Sequence, residues 1–137
     1  MYKLGKRSLR RLVGVDPILV FCVIEAIKIS KYDFGVFEGL RTVARQRKLL
    51  REGRTTTMHS RHLTGNAIDI VPYKNGKFNW ELPHYFNEIE SCMKLVIKNH
   101  NLPIEWGGDW KSFIDKPHWQ ISRKFKDGYD YRKDIYG

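Results

Sequence analysis

Apolar residues recur at helical spacing in several stretches of this chain and at strand spacing in others. Asp16-Pro17 supplies an N-cap acceptor and then proline at the first helical position. Ile18, Leu19, Cys22, Ile24, Ala26 and Ile27 follow and predict a largely apolar helix to about Ser30. Phe34 to Gly39 is β-branched and aromatic, closes on glycine and reads as a short strand. Arg41-Thr42 opens a second helix, Val43 to about Glu52, terminated by Gly53. Residues 54–60 are polar, rich in threonine and loop-like. Ala67 to Val71 has the pattern of a buried strand, and Asn75-Gly76 is a strong hairpin signal. Phe86, Ile89, Met93, Val96 and Ile97 give helical spacing across a third helix, Pro83 to about His100. Ile104 to Trp106 and Pro117 to Ile121 read as strands, and the basic tail beyond them as peripheral. Helices and strands in this order suggest α+β, a small antiparallel sheet with flanking helices.

At 137 residues the chain has the length of one domain with a real core, 1–137, and no linker or repeat divides it. Its 42% hydrophobic and 13% aromatic content argues against disorder. No apolar run approaches the roughly 20 residues of a membrane span, so no transmembrane segment is expected. The basic start, from Lys3 to Arg11, superficially resembles the head of a signal peptide. Asp16-Pro17 and Glu25 then interrupt what should be its apolar centre. The expectation is synthesis and retention in the cytoplasm until another factor lets the protein out. Cys22 and Cys92 are widely separated in apolar stretches and read as buried free thiols. The net charge of +10 calls for an acidic partner. Nucleic acid is one such polymer, and bacterial cell wall with its stem-peptide carboxylates is another.

Two segments carry candidate chemistry. Ser60-Arg-His62-Leu-Thr-Gly65-Asn-Ala67-Ile-Asp69 and Asp115-Lys-Pro-His118-Trp119-Gln120 together offer two histidines and a carboxylate for a metal. A zinc ion held by three protein ligands keeps a tetrahedral position open for water, as catalytic sites do. Asp115, three residues before His118, is the candidate base. Each residue also has a plainer reading. Asp69 lies on a strand between Ile68 and Ile70, where a carboxylate is costly unless paired or metal-bound, so a buried salt bridge is its alternative. His118 alone would read as a satisfied core histidine, and Asp115 as a turn residue. Arg41 is either a surface cation or a buried arginine aimed at a developing oxyanion. Glu38 and Glu105 are further carboxylates without the spacing of Asp115 to His118. His59, His84 and His100 are not taken as ligands.

The pattern Ser60-x-His62-x-x-Gly65-x-Ala67-x-Asp69 resembles the signature of the LAS zinc metallopeptidases, the D-Ala-D-Ala carboxypeptidase and dipeptidase superfamily. Asp115-x-x-His118 resembles its second signature. Gly39-Leu-Arg41-Thr42 with Gln46, and Trp106-Gly-Gly-Asp109-Trp110, resemble segments of its L-alanyl-D-glutamate endopeptidase branch. The likeness runs from about Leu9 to Gln120, and single-domain phage endolysins, with a Pro-Tyr-x-Asn-Gly-Lys stretch like Pro72 to Lys77, are the nearest in kind. The resemblance implies a Hedgehog/DD-peptidase-like fold without a separate wall-binding domain. It implies Zn2+ on His62, Asp69 and His118, and catalysis by Asp115 and Arg41. Ser60, Trp106 and Trp110 would contact substrate. The partner implied is the peptidoglycan stem peptide, cut between L-alanine and D-glutamate by a monomeric endolysin that reaches the periplasmic wall through a phage pore protein. The rivals are a D-Ala-D-Ala carboxypeptidase of the same fold, a basic nucleic-acid-binding domain, and a wall-binding module without activity.

Overall fold

The computed structural model describes residues 1–122; the basic tail read as peripheral lies outside the described residues. In chain order the elements are α1 (Lys6–Arg11), α2 (Pro17–Ile29), β1 (Phe34–Glu38), α3 (Val43–Arg51), a 3-10 turn (Arg61–Thr64) and β2 (Ala67–Lys74). There follow β3 (Lys77–Phe78), α4 (Pro83–His100), β4 (Ile104–Trp106), a second 3-10 turn (Gly107–Asp109) and β5 (His118–Ile121). The sheet is antiparallel in the order β1-β2-β5-β4, with β3 paired to the far end of β2. The fold is α+β, an antiparallel sheet with flanking helices, as its pattern implied.

Local chemistry explains most boundaries. The Asp16 carboxylate accepts from the Ile18 N–H at 2.9 Å and starts α2. The Thr42 hydroxyl accepts from the Arg45 N–H at 3.0 Å and starts α3. Asn75 and Gly76, with φ of 54° and 77°, turn the β2–β3 hairpin with both central residues left-handed. The hairpin pairs Tyr73 with Phe78 and Lys74 with Lys77, which carries β2 past its expected end at Val71.

The sheet has two unlike faces. Val36, Ile68, Ile70, Trp119 and Ile121 are buried against α2 and α4, where they meet Leu19, Val23, Ile27, Met93 and Val96. Strand alternation sends Asp69, His118, Gln120 and Glu105 to the other face. A bulge between Val36 and Glu38 brings Glu38 opposite Asp69. Cys22 and Cys92 are both free and buried, as expected. Burial pushes the Cys22 thiol up to about 12, so it stays protonated and inert.

The basic start, for which the sequence pattern predicted no element, forms α1 and covers the edge strand. The Ser8 hydroxyl accepts from the Val36 N–H, and the Arg11 guanidinium donates to the Val36 carbonyl, both at 3.0 Å. An edge strand otherwise presents such groups unpaired. α1 ends so close to Gly39 that a Cβ there would overlap the Arg11 carbonyl oxygen. Gly5, by contrast, faces open space.

Gly39→Ala should therefore destabilise the protein by about 1–3 kcal/mol, the usual cost of overpacking. Gly5→Ala should stay within about 0.5 kcal/mol of the parent. Urea unfolding of both variants measures this, and equal midpoints would show that the approach of α1 to Gly39 is not a constraint.

Candidate active site

Asp69 on β2 and His118 on β5 are direct cross-strand partners on the polar face of the sheet. The Asp69 Oδ1 lies 3.3 Å from His118 Nδ1 and 3.3 Å from His62 Nε2. His62 comes from the 3-10 turn before β2, which is pinned at several points. The Ser60 hydroxyl accepts from the His62 N–H at 3.2 Å, and the His62 carbonyl accepts from the Arg41 N–H at 2.8 Å. Gly65 leaves the turn with φ 75°, and a Cβ there would overlap the Gly14 carbonyl oxygen. Its own carbonyl accepts from the Asp16 N–H. The helix start at Asp16 thus also fixes the turn that aims His62.

One ligand atom from each of His62, Asp69 and His118 lies within 4.8 Å of the others. Each imidazole is held from behind through its second nitrogen. His62 Nδ1 is 2.9 Å from the Gly39 carbonyl, and His118 Nε2 is 2.8 Å from Gln120 Oε1. Both partners only accept. Those nitrogens therefore keep their protons, which leaves His62 Nε2 and His118 Nδ1, both facing Asp69, as the atoms available to a metal. That is the arrangement metal-binding histidines adopt, so the residues fit a metal that takes imidazole and carboxylate. The charges agree. Burial alone would raise the Asp69 carboxyl, but hydrogen bonds from His118 and His62, with their charges, outweigh it and hold the group below the usual carboxylate range. Burial would lower His118, and the hydrogen bond and charge of Asp69 reverse this and raise it.

Asp115 stands at the same cleft. Its N–H donates to the Gly107 carbonyl at 3.0 Å, and its own carbonyl accepts from the His118 N–H at 3.2 Å. A Cβ on Gly107 would overlap the Asp115 carbonyl oxygen, so glycine is required for this close approach. Although the residue is exposed as a whole, partial loss of water around its carboxyl, then the charge of Asp69, push the pKa up. His118, His62 and Arg41 pull it down. A carboxyl raised in a cleft beside a metal-binding cluster has the placement of a proton-transfer group.

Arg41 is not a surface cation; its side chain is 10% exposed. Nε and Nη2 donate to the two oxygens of Glu38, each at 2.7 Å, and Nη1 donates to Gln46 Oε1 at 2.7 Å. Gln46, fully buried, also donates to the Thr57 carbonyl and so ties α3 and Arg41 to the wall formed by residues 54–60. Ser60 and Trp110 line the cleft, with the Trp110 ring 5.2 Å from that of His118. Trp106 does not. Its register opposite Trp119 turns it to the core face, where it stacks on Trp119 at 5.5 Å and donates to the Lys116 carbonyl. The reading of Trp106 as a substrate contact is corrected on that ground. His59 lines the cleft but stands outside the metal-binding cluster, and His84 and His100 are exposed elsewhere. Glu38, weighed only as a spare carboxylate, is the partner of Arg41. The parts that sequence reasoning did not assign are Gln46, the Gly39 carbonyl and Gln120. Gln120 left a signal in its spacing, two residues from His118 on one strand face, and Gln46 left one in the family-like segment that begins at Gly39.

Comparison with known proteins identifies the family. A family model described as phage L-alanyl-D-glutamate peptidase matches residues 1–131. The L-alanyl-D-glutamate peptidase of Escherichia phage T5 is 33% identical over 130 residues, 93% of this chain and 94% of that protein. The peptidoglycan L-alanyl-D-glutamate endopeptidase CwlK of Bacillus subtilis is 32% identical over 101 residues, 65% of this chain and 60% of that one. The crystal structure of the Serratia marcescens L-Ala D-Glu endopeptidase ChiX matches with a TM-score of 0.79 and 36% identity, covering 97% of this chain and 93% of that one. A match over nearly the whole chain, in sequence and in fold, means that this chain belongs to the phage L-alanyl-D-glutamate peptidase family.

Proposed function

We propose that this protein is a zinc-dependent endopeptidase that hydrolyses the L-alanyl-D-glutamate bond of peptidoglycan stem peptides. The observation that carries the reading is the His62–Asp69–His118 cluster at the floor of a cleft, with both imidazoles oriented from behind. The names of its relatives supply the bond. The role is that of a phage endolysin, acting as a monomer on the periplasmic wall after release through a phage pore protein. Arg45, Arg54, Arg61 and Lys111 line the cleft and suit a substrate rich in carboxylates.

His62 Nε2, one Asp69 oxygen and His118 Nδ1 would hold the ion. When bound, zinc would polarise the scissile carbonyl and bring the pKa of a water to about 7. Asp115 would take a proton from the attacking water and return it to the leaving amine of D-glutamate. Arg41, kept rigid by Glu38 and Gln46, offers its remaining N–H groups to the oxyanion or to a substrate carboxylate. Ser60 and Trp110 flank the peptide.

Three outcomes follow from these roles. Digestion of Gram-negative peptidoglycan, read by mass spectrometry, should give peptides beginning with D-glutamate, lost on chelation and restored by zinc. Release of D-alanine alone would move the activity to the carboxypeptidase rival. Asp115→Asn should keep its zinc and lose about 10²–10⁴ in kcat, the typical worth of a general base; near-parental turnover would remove Asp115 from that role. Since the His118 pKa is raised in the metal-free protein, protons compete with the metal at His118 to higher pH than at an ordinary histidine. Zinc affinity should fall as pH drops through that value, with protons released on binding. Calorimetric titration in two buffers of different ionisation enthalpy reads the release, and identical heats would contradict it.

A further inference from the structure

We propose that Glu105 and Gln120 form a positioning pair that sets which ring nitrogen of His118 is presented to the metal. The inference rests on the metal reading above and adds two residues to it. Neither belongs to the His62–Asp69–His118 cluster.

Gln120 follows His118 by two residues on β5, so both side chains rise from the same face of the sheet. It is 1% exposed and stands opposite Glu105 on β4. A primary amide has nearly the same shape either way round. Sterically, Gln120 could turn its carbonyl or its NH2 to His118. Glu105 removes that choice. Its carboxylate accepts from Gln120 Nε2 at 2.5 Å, which leaves Gln120 Oε1 facing His118 Nε2 at 2.8 Å. Nε2 therefore keeps its proton against Gln120, and Nδ1, 3.3 Å from Asp69, is left as the nitrogen that a metal can take.

With the amide reversed, its NH2 would donate to Nε2 and move the ring proton to Nδ1, the ligand atom. A carboxylate one strand away thus decides whether His118 can ligate. The other histidine needs no such device. The acceptor behind His62 is the Gly39 backbone carbonyl, which cannot exchange donor for acceptor. The centre therefore has one imidazole oriented by backbone and one by a side-chain relay, whose side chains a point substitution can remove directly.

The test compares zinc affinity, by competition with a chromophoric chelator, in the parent, Gln120→Leu, Glu105→Ala and Glu105→Gln. Thermal unfolding of each metal-free protein is measured alongside. Gln120→Leu and Glu105→Ala should each lose about 10–100-fold in affinity, the usual effect of removing such a partner. Glu105→Gln should recover most of it, because its side-chain carbonyl can still take the Gln120 NH2. A purely structural role would move the unfolding temperature of the metal-free protein and would not sort Glu105→Gln from Glu105→Ala by affinity. Long-range 1H–15N spectra of the zinc-loaded parent should show His118 protonated on Nε2 and ligated through Nδ1. Parental affinity in both Glu105→Ala and a folded Gln120→Leu, or His118 ligated through Nε2, would overturn the pair alone. A parent that takes up no zinc would overturn the metal reading and the pair with it. If Gln120→Leu does not fold, the two Glu105 variants and the spectrum decide.

Discussion

A carboxylate in the middle of an apolar strand is the constraint around which the rest of this protein is arranged. Asp69 sits between Ile68 and Ile70, both fully buried, and its side chain is only 16% exposed. Leaving such a group unpaired would cost several kcal/mol. Two histidines converge on one of its oxygens from different directions, and each comes with its own support. His118 arrives by strand register. His62 arrives on a turn clamped between Ser60, Gly65 and the start of α2. The same strand pairing that buries Ile68 against Trp119 sets Asp69 beside His118, so folding of the core and assembly of the cluster are one event.

Around that cluster the polar side chains are committed to one another in chains. Arg41 is held by Glu38 and Gln46, and Gln46 holds the wall at Thr57. His118 is held by Gln120, and Gln120 by Glu105. Such networks are costly when partly satisfied and rigid when complete. Their rigidity matches the needs of a site whose ligand atoms must be aimed before the ion arrives. Asp115 differs in kind. It is fixed through its backbone, against Gly107 and His118, while its carboxyl remains at the cleft mouth, where a proton carrier must meet both water and substrate.

Much of this was legible in the chain because it rests on local rules. Asp16-Pro17, Thr42 and Asn75-Gly76 announce their helix starts and turn by chemistry that acts within a few residues. The alternation around Asp69 and His118 revealed which face each would take. The same alternation places Ile104 and Trp106 together and Glu105 apart, and it would have sent Trp106 to the core; the family likeness of that segment suggested a substrate contact instead. The helix α1 has no apolar period to betray it. Its value lies in hydrogen bonds to Val36, which is 28 residues from Ser8. Gln46 is likewise a polar residue in a strongly basic helix, and only the tertiary approach of Arg41 and Thr57 explains its burial. Arg41 itself looked like either of two things, and the bulge that delivers Glu38 decides between them.

The most direct test of this account is anomalous diffraction at the zinc edge from crystals of the zinc-loaded protein. The account predicts one dominant site, bound by His62 Nε2, an Asp69 oxygen and His118 Nδ1, with a non-protein ligand completing the shell. A site filled by four protein ligands, or zinc bound away from Asp69, would contradict it.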